Sequence, residues 1–269
     1  MKLIRLIAIL FVTLNACTPN AGEIPSSAIL VLTEESVQLT IHPEAIDPLV
    51  GKENGWQIWR WQELLADTKS SGYFSFLEEE SLSAGIYRLP AESLDGQNPH
   101  ARDEVYIVME GRANFVAEDE ILAVEAGSII YVRAKVEHKF EVIEEPLNIL
   151  VLFSKNSSSE ANPSHQHNLF NDLIQNEELN RNIWNEFLSV SSLRLGLYSL
   201  PSTVGGDSPL VHSFDELNLV INGSGSFTVN DEEIQIEEGD LIFVRAGNSH
   251  SFDTQGQDLE VLILFLSGE

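Results

Sequence analysis

The chain has 269 residues and an apolar fraction of 43%, enough for two domains with cores of their own. Its 42 acidic residues against 15 basic ones give a formal net charge of −27. A surface of that sign repels phosphate backbones and excludes nucleic acid as a partner.

The first segment reads as targeting rather than fold. Lys2 and Arg5 lead into a short apolar run at 6–14, and Leu14-Asn15-Ala16-Cys17 follows. The run is too short to span a bilayer. The pattern is similar to a bacterial lipoprotein signal, which is cut before a lipidated cysteine. Residues 1–16 are therefore expected to be signal peptide and Cys17 the lipidation site. The mature protein would be a membrane-anchored lipoprotein on the periplasmic or cell-surface side, touching the membrane through its N-terminal lipid only. Cys17 is the sole cysteine, which argues against disulfides.

Residues 17–70 are expected to form a tether and an N-terminal strand/helix arm. Residues 28–32 (AILVL) are a short apolar run that reads as an edge strand, and 37–41 alternate like a second one. Residues 56–66 (WQIWRWQELLA) carry Trp and Leu at helical spacing, which predicts a helix with an aromatic core face.

The rest of the chain says one thing twice. GIYRLP at 85–90 returns as GLYSLP at 196–201, and NPHARDEVYIVMEG at 98–111 as LVHSFDELNLVING at 210–223. GSIIYVRAKVEHKF at 127–140 returns as GDLIFVRAGNSHSF at 239–252, and NILVLF at 148–153 as EVLILF at 260–265. The offset is 111 at 85–90 and 112 from 98 onward, so the loop between them has gained a residue. A repeat of this length means two copies of a whole domain. We place the first at 71–155, a linker and helix at 156–182, and the second at 183–269.

Each copy consists of short runs rich in Val, Ile, Tyr and Phe, in the first at 104–110, 112–117, 128–133, 138–143 and 147–153. Such runs, split by Gly turns with no long helix between them, predict an all-β sandwich or barrel. Asn222-Gly223 reads as a hairpin turn, with Glu110-Gly111 its counterpart. Residues 154–164 are polar and read as linker. Leu169, Phe170, Leu173 and Ile174 then have helical spacing.

The two copies agree where chemistry would sit. His100 and Glu104 are four apart, and on a strand that even spacing puts both on one face, which Tyr106 and Val108 continue. His138 opens a later strand, with Phe140 on its side. Two imidazoles and a carboxylate suit a divalent transition metal, Fe, Mn, Ni or Zn, with open positions for a small molecule. The second copy repeats the set as His212, Glu216 and His250. Four of the seven histidines thus fall at matched positions. The other three, His42, His165 and His167, lie in segments read as connecting and solvated.

The paired Gly-bounded motifs resemble those of the cupin superfamily. The resemblance implies an all-β bicupin: two tandem double-stranded β-helix (jelly-roll) barrels with short flanking helices, each with a metal pocket at its centre. The family pattern has a further His two residues before the one matching His100, where this chain has Asn98 and Leu210. Its usual second-motif Pro is Arg133 and Arg245 here. Gln97 or Asn98 is the candidate for a weak fourth ligand in the first site; Leu210 supplies none in the second. Two His and one carboxylate with open positions is the arrangement of non-haem iron oxygenases.

Two classes of function stay open. One is a metal-dependent enzyme, of dioxygenase or isomerase type, on a small organic substrate. The other is a non-catalytic small-molecule-binding or structural module. Tyr106, Phe140, Asn218 and Phe252 are the candidate pocket residues. Tyr131 and Phe243 read as packing. Arg133 and Arg245 either hold a substrate carboxylate or pair outward with Glu. Asp103 and Asp215 point to the other face from the glutamates. Pairing through strands, in a homodimer or within the two-copy chain itself, is a further implication of the resemblance.

Overall fold

The computed structural model describes residues 55–175 and 184–266, all within one unit. The signal, Cys17, the tether, the runs at 28–32 and 37–41, and His42 lie outside these residues. The described chain opens with β1 (Trp56–Arg60) and α1 (Trp61–Asp67). The first barrel follows: β2 (Gly72–Glu78), β3 (Leu82–Leu89), β4 (Glu104–Ala117), β5 (Glu120–Glu125), β6 (Ser128–Val132) and β7 (His138–Ser154). Next come β8 (His165–Leu169) and α2 (Phe170–Gln175). The second barrel comprises β9 (Trp184–Ser189), β10 (Leu193–Leu200), β11 (Leu210–Val211), β12 (Glu216–Asn222) and β13 (Ser224–Val229). It closes with β14 (Glu232–Glu237), β15 (Asp240–Val244), β16 (Ser249–Asp253) and β17 (Leu259–Leu266). The expectation of an all-β protein with two barrels and short helices holds.

Alternation of side chains along β4 explains how one strand serves two cores. Glu104, Tyr106 and Val108 turn toward the first barrel's interior, where Tyr106 and Val108 pack with Phe115, Phe140 and Ile149. Val105 and Ile107 turn the other way, into an apolar layer shared with Leu217, Leu219 and Phe243 of the second barrel. With both faces covered, residues 105–109 (VYIVM) read as an unbroken apolar run. The second barrel has its own interior around Val220, Phe227 and Phe252. Tyr131 and Phe243 lie in the shared layer, so they pack as expected.

The strand order of the first sheet is β2-β3-β7-β4-β6-β8, and that of the second is β9-β10-β17-β12-β15-β1. These orders match position by position. The sixth strand of each sheet comes from the segment preceding the other barrel. β1, ahead of the first barrel, pairs with β15 of the second, and β8, ahead of the second, pairs with β6 of the first. The helices follow suit: the Trp61 amide is bonded to the Gly239 carbonyl at 3.1 Å and the Phe170 amide to that of Gly127 at 3.0 Å. The repeat therefore begins with a strand and a helix, and the two copies exchange them.

Several local expectations are corrected. Residues 56–60 are strand, not helix: Trp56 and Ile58 fill the second barrel's interior while Trp59 faces the shared layer. Burial on both faces hides the alternation. His165 and His167 lie on a paired strand rather than in a solvated linker. Residues 104–117 and 138–154 are each one continuous strand. Asn222-Gly223 makes no hairpin, because β12 and β13 pair with other strands and belong to different sheets. Gly223 (φ 87°) and Gly111 (φ 96°) instead let the chain pass close against backbone. A Cβ there would lie 2.0 Å from the Asp258 carbonyl oxygen and 2.1 Å from that of Pro146, so only glycine fits.

Candidate metal centres

The even spacing on β4 and β12 brings each glutamate into a barrel, and β7 and β16 bring a histidine to meet it. His100, Glu104 and His138 form one cluster and His212, Glu216 and His250 the other, with ligand atoms within 4.8 Å of one another in each. Both sequence-derived triads are thus assembled, each a set of groups of the kind that holds a metal ion. Glu104 is fully buried and Glu216 almost so. Burial pushes the Glu216 carboxyl up, but the His212 and His250 imidazoles beside it outweigh that and leave it below the usual range. Glu104 behaves alike beside His100 and His138.

Two observations fit a cation. Glu216 Oε1 lies 2.6 Å from His250 Nε2 yet makes no hydrogen bond there, and Glu104 Oε1 lies 2.9 Å from His100 Nδ1 in the same condition. Buried polar atoms this close and unpartnered are what a bound cation would satisfy. The outer nitrogen of each later histidine is also held: His138 Nδ1 is 2.7 Å from the Val136 carbonyl and His250 Nδ1 is 3.1 Å from that of Asn248. Such a bond fixes the ring and leaves Nε2 aimed at the centre, as metal-binding histidines require. The donor set of nitrogen and carboxylate oxygen suits Fe, Mn, Ni or Zn.

Around these triads the barrels differ. In the second, a cavity of about 240 Å³ opens onto His212, Glu216 and His250. Its apolar walls include Trp184, Phe214, Phe252 and Phe265, and Tyr198, Asp207 and Arg194 add polar groups. Trp184 can lie flat over β10 because residue 196 is glycine: a Cβ there would sit 2.3 Å from the indole. Arg194 is more than a third exposed, and its guanidinium stands 5.0 Å from the Phe214 ring and 5.1 Å from that of Phe265. Asp207 accepts the Tyr198 hydroxyl and the Phe252 amide; burial nonetheless holds its carboxyl above the usual range.

In the first barrel the triad meets Tyr106. Its hydroxyl bonds to Glu104 Oε2, lies 2.9 Å from His138 Nε2 and is 2.9 Å from Gln97 Oε1. The counterpart Asn218 turns its amide to the Ile242 carbonyl at 3.3 Å. Gln97, a candidate fourth ligand, steadies Tyr106 instead and is tied to Asp95.

Phe252 does line the open cavity, while Phe140 and Tyr106 pack together in the first barrel. The arginines singled out in the sequence lie elsewhere. Arg133 donates to the backbone carbonyls of Glu160 and Asn162, and Arg245 pairs with Glu79 at 2.6 Å. His165 pairs with Glu120, and His167 Nε2 is buried without a hydrogen-bond partner; neither joins a triad. Arg194 and the Tyr198–Asp207 pair were missed. Tyr87–Asp95 repeats that pair in the first barrel, and this match was the available signal. Arg194 faces Ser83 across the repeat and left no such trace.

A family profile described as cupin domain matches residues 85–153 and 200–266. An uncharacterized protein of Streptomyces coelicolor is 45% identical over 98 residues, covering 36% of this chain and 93% of that protein. Among solved structures, a cupin 2 conserved barrel domain protein from Leptotrichia buccalis superposes with a TM-score of 0.63 at 13% identity, over 78% of this chain and 96% of that one. A variant of salicylate 1,2-dioxygenase from Pseudoaminobacter salicylatoxidans gives 0.67 at 12% identity, over 84% and 86%. The same enzyme with gentisate adducts gives 0.63 at 14%, over 85% and 84%. At these identities the structural likeness speaks for the fold.

Proposed function

The chain belongs to the cupin family, and on that footing we propose that it is an extracytoplasmic, metal-dependent enzyme acting on a small organic acid in its second barrel. The observation that carries this reading is the aromatic-walled cavity opening onto His212, Glu216 and His250 with Arg194 beside it. His212, Glu216 and His250 would hold a divalent Fe, Mn, Ni or Zn ion. Once bound, such an ion supplies Lewis acidity or oxygen activation, the chemistry of dioxygenase- and isomerase-type reactions.

The protein's own groups account for the rest. Trp184, Phe214, Phe252 and Phe265 take up a flat apolar body and keep water from it. Arg194, now paired with Glu186 at 3.3 Å, would turn its guanidinium to a substrate carboxylate. Its contacts with two rings limit its freedom, so little order is lost on binding. Tyr198 and Asp207 give the cavity a polar side; the Tyr198 hydroxyl is committed to Asp207, which fixes the direction in which it can accept a further bond.

The salicylate dioxygenase likeness supports the fold and the idea of an acidic aromatic ligand. The location rests on Lys2, Arg5, the apolar run and Cys17. Oxygen uptake and product formation in the metal-loaded protein, screened over aromatic and aliphatic carboxylates, test the activity. Turnover in wild type that is lost in Glu216→Gln supports the reading; none detected for any acid in wild type would leave only a binding module. Cys17→Ala tests the anchor: the protein should move from the membrane to the soluble fraction.

A further inference from the structure

We propose that Tyr106 is the resident occupant of the first barrel's centre, so that the chain takes up one metal ion, in the second barrel alone. The inference deepens the reading above and rests on it. The Tyr106 hydroxyl joins Glu104 Oε2 to His138 Nε2 and is backed by Gln97, at 2.9 Å from each of the latter two. Two of the three groups that would ligate an ion are thereby bonded to a side chain of the protein itself. The phenol is packed in place: its ring meets Phe115 at 5.7 Å and Phe140 at 5.6 Å, edge-on to the latter, and the residue is 1% exposed. An entering ion would have to displace a buried, well-packed hydroxyl.

The second barrel lacks each part of this plug. Asn218 stands where Tyr106 does, is too short to reach the centre and bonds to the Ile242 carbonyl. By the repeat offset of 112, Pro209 replaces Gln97 and offers no amide. Glu216 and His250 accordingly line a cavity rather than a phenol. Duplication has left one open centre and one whose Glu104 Oε2 and His138 Nε2 are already held by a phenol. The first barrel then serves as scaffold, covering the shared apolar layer on which β12 and β17 of the second barrel rest.

The test is metal stoichiometry on the full mature chain, stripped, reloaded with Mn(II) or Zn(II), desalted and counted by elemental analysis. Wild type should retain one equivalent, lost in Glu216→Gln and kept in Glu104→Gln. Tyr106→Phe keeps the ring and its packing but removes the hydroxyl. It should retain two equivalents, returning to one when combined with Glu104→Gln. Two equivalents in wild type would overturn the inference and leave the second-barrel reading standing, as would Tyr106→Phe staying at one. A single equivalent lost in Glu104→Gln would overturn both. One equivalent in the second barrel with no turnover on any acid would support this inference while the enzyme reading fails.

Discussion

Ser192 of the second barrel donates its hydroxyl to Asp103 of the first, 2.6 Å away. Ser81 of the first barrel does the same for Asp215 of the second, at 2.5 Å. The aspartates beside the ligand glutamates therefore turn away from the centres, as strand parity requires, and tie the barrels together.

Asp103 is fully buried and also accepts bonds from Tyr131, from the Ala134 amide and from the Ser158 amide. Asp103→Ala strands these donors and should cost about 2–4 kcal/mol in urea denaturation, given the penalty for buried unpaired groups. Asp215 is partly exposed and its carboxylate holds Ser81 and the Ala246 amide. Asp215→Ala should cost roughly 1 kcal/mol.

Trp59 packs edge-on against Phe76 with ring centroids 5.1 Å apart, inside the layer between the barrels. Trp59→Ala should lower stability by about 3–5 kcal/mol. Hydrogen exchange should show the earliest loss of protection in β15, the strand β1 pairs with, although Trp59 precedes the first barrel in sequence.

Arg194→Leu should weaken binding of an acidic ligand about tenfold to hundredfold, the loss of one charge-assisted hydrogen bond. Arg194→Lys should recover part of this. Calorimetry on the metal-loaded protein reads both. Equal affinity of all three for every acid tested would remove Arg194 from the recognition.

Asp240 supplies a pH dependence away from the centres. Burial pushes its carboxyl above the usual value, more than the Glu237 amide and the Arg60 charge pull it down. A folded pKa above the unfolded one means that the group's favourable contribution is complete below about pH 3.9. That contribution is lost as the pH rises through the folded value. Asp240→Asn keeps an acceptor for the Glu237 amide, which Asp240 binds at 3.0 Å, and removes the charge. Its stability relative to wild type should therefore rise from pH 3.5 to pH 7 in paired denaturation curves. The first barrel already has Ser128 in this role, accepting the Glu125 amide at 3.0 Å.

What the sequence made legible was what its two halves share. The six triad residues stood out because His and Glu recur at one spacing where little else is identical. Arg194 and the plug formed by Tyr106 with Gln97 are features of one copy only, and comparing copies is blind to them. The mismatch of Tyr106 with Asn218 was visible, yet both residues read as pocket lining. Only three-dimensional proximity shows that the phenol reaches His138. β1 and β8 escaped for another reason. The apolar residues of β1 face two different cores, and β8, HQHNL, has a single apolar residue, so neither a helical nor an alternating pattern describes them.

The exchange of β1 and β8 has a consequence for how such a chain arises and comes apart. A gene encoding one strand–helix–barrel unit would make a protein whose own sheet lacks its sixth strand, completed only by a sister molecule lending hers. Fusing two such genes converts that mutual loan into an intramolecular clasp. Once joined, each copy is freed to drift, since the sister unit guarantees its fold. Proteolysis of the segment at 155–164 should accordingly leave two interlocked fragments that copurify, because each carries a strand of the other's sheet.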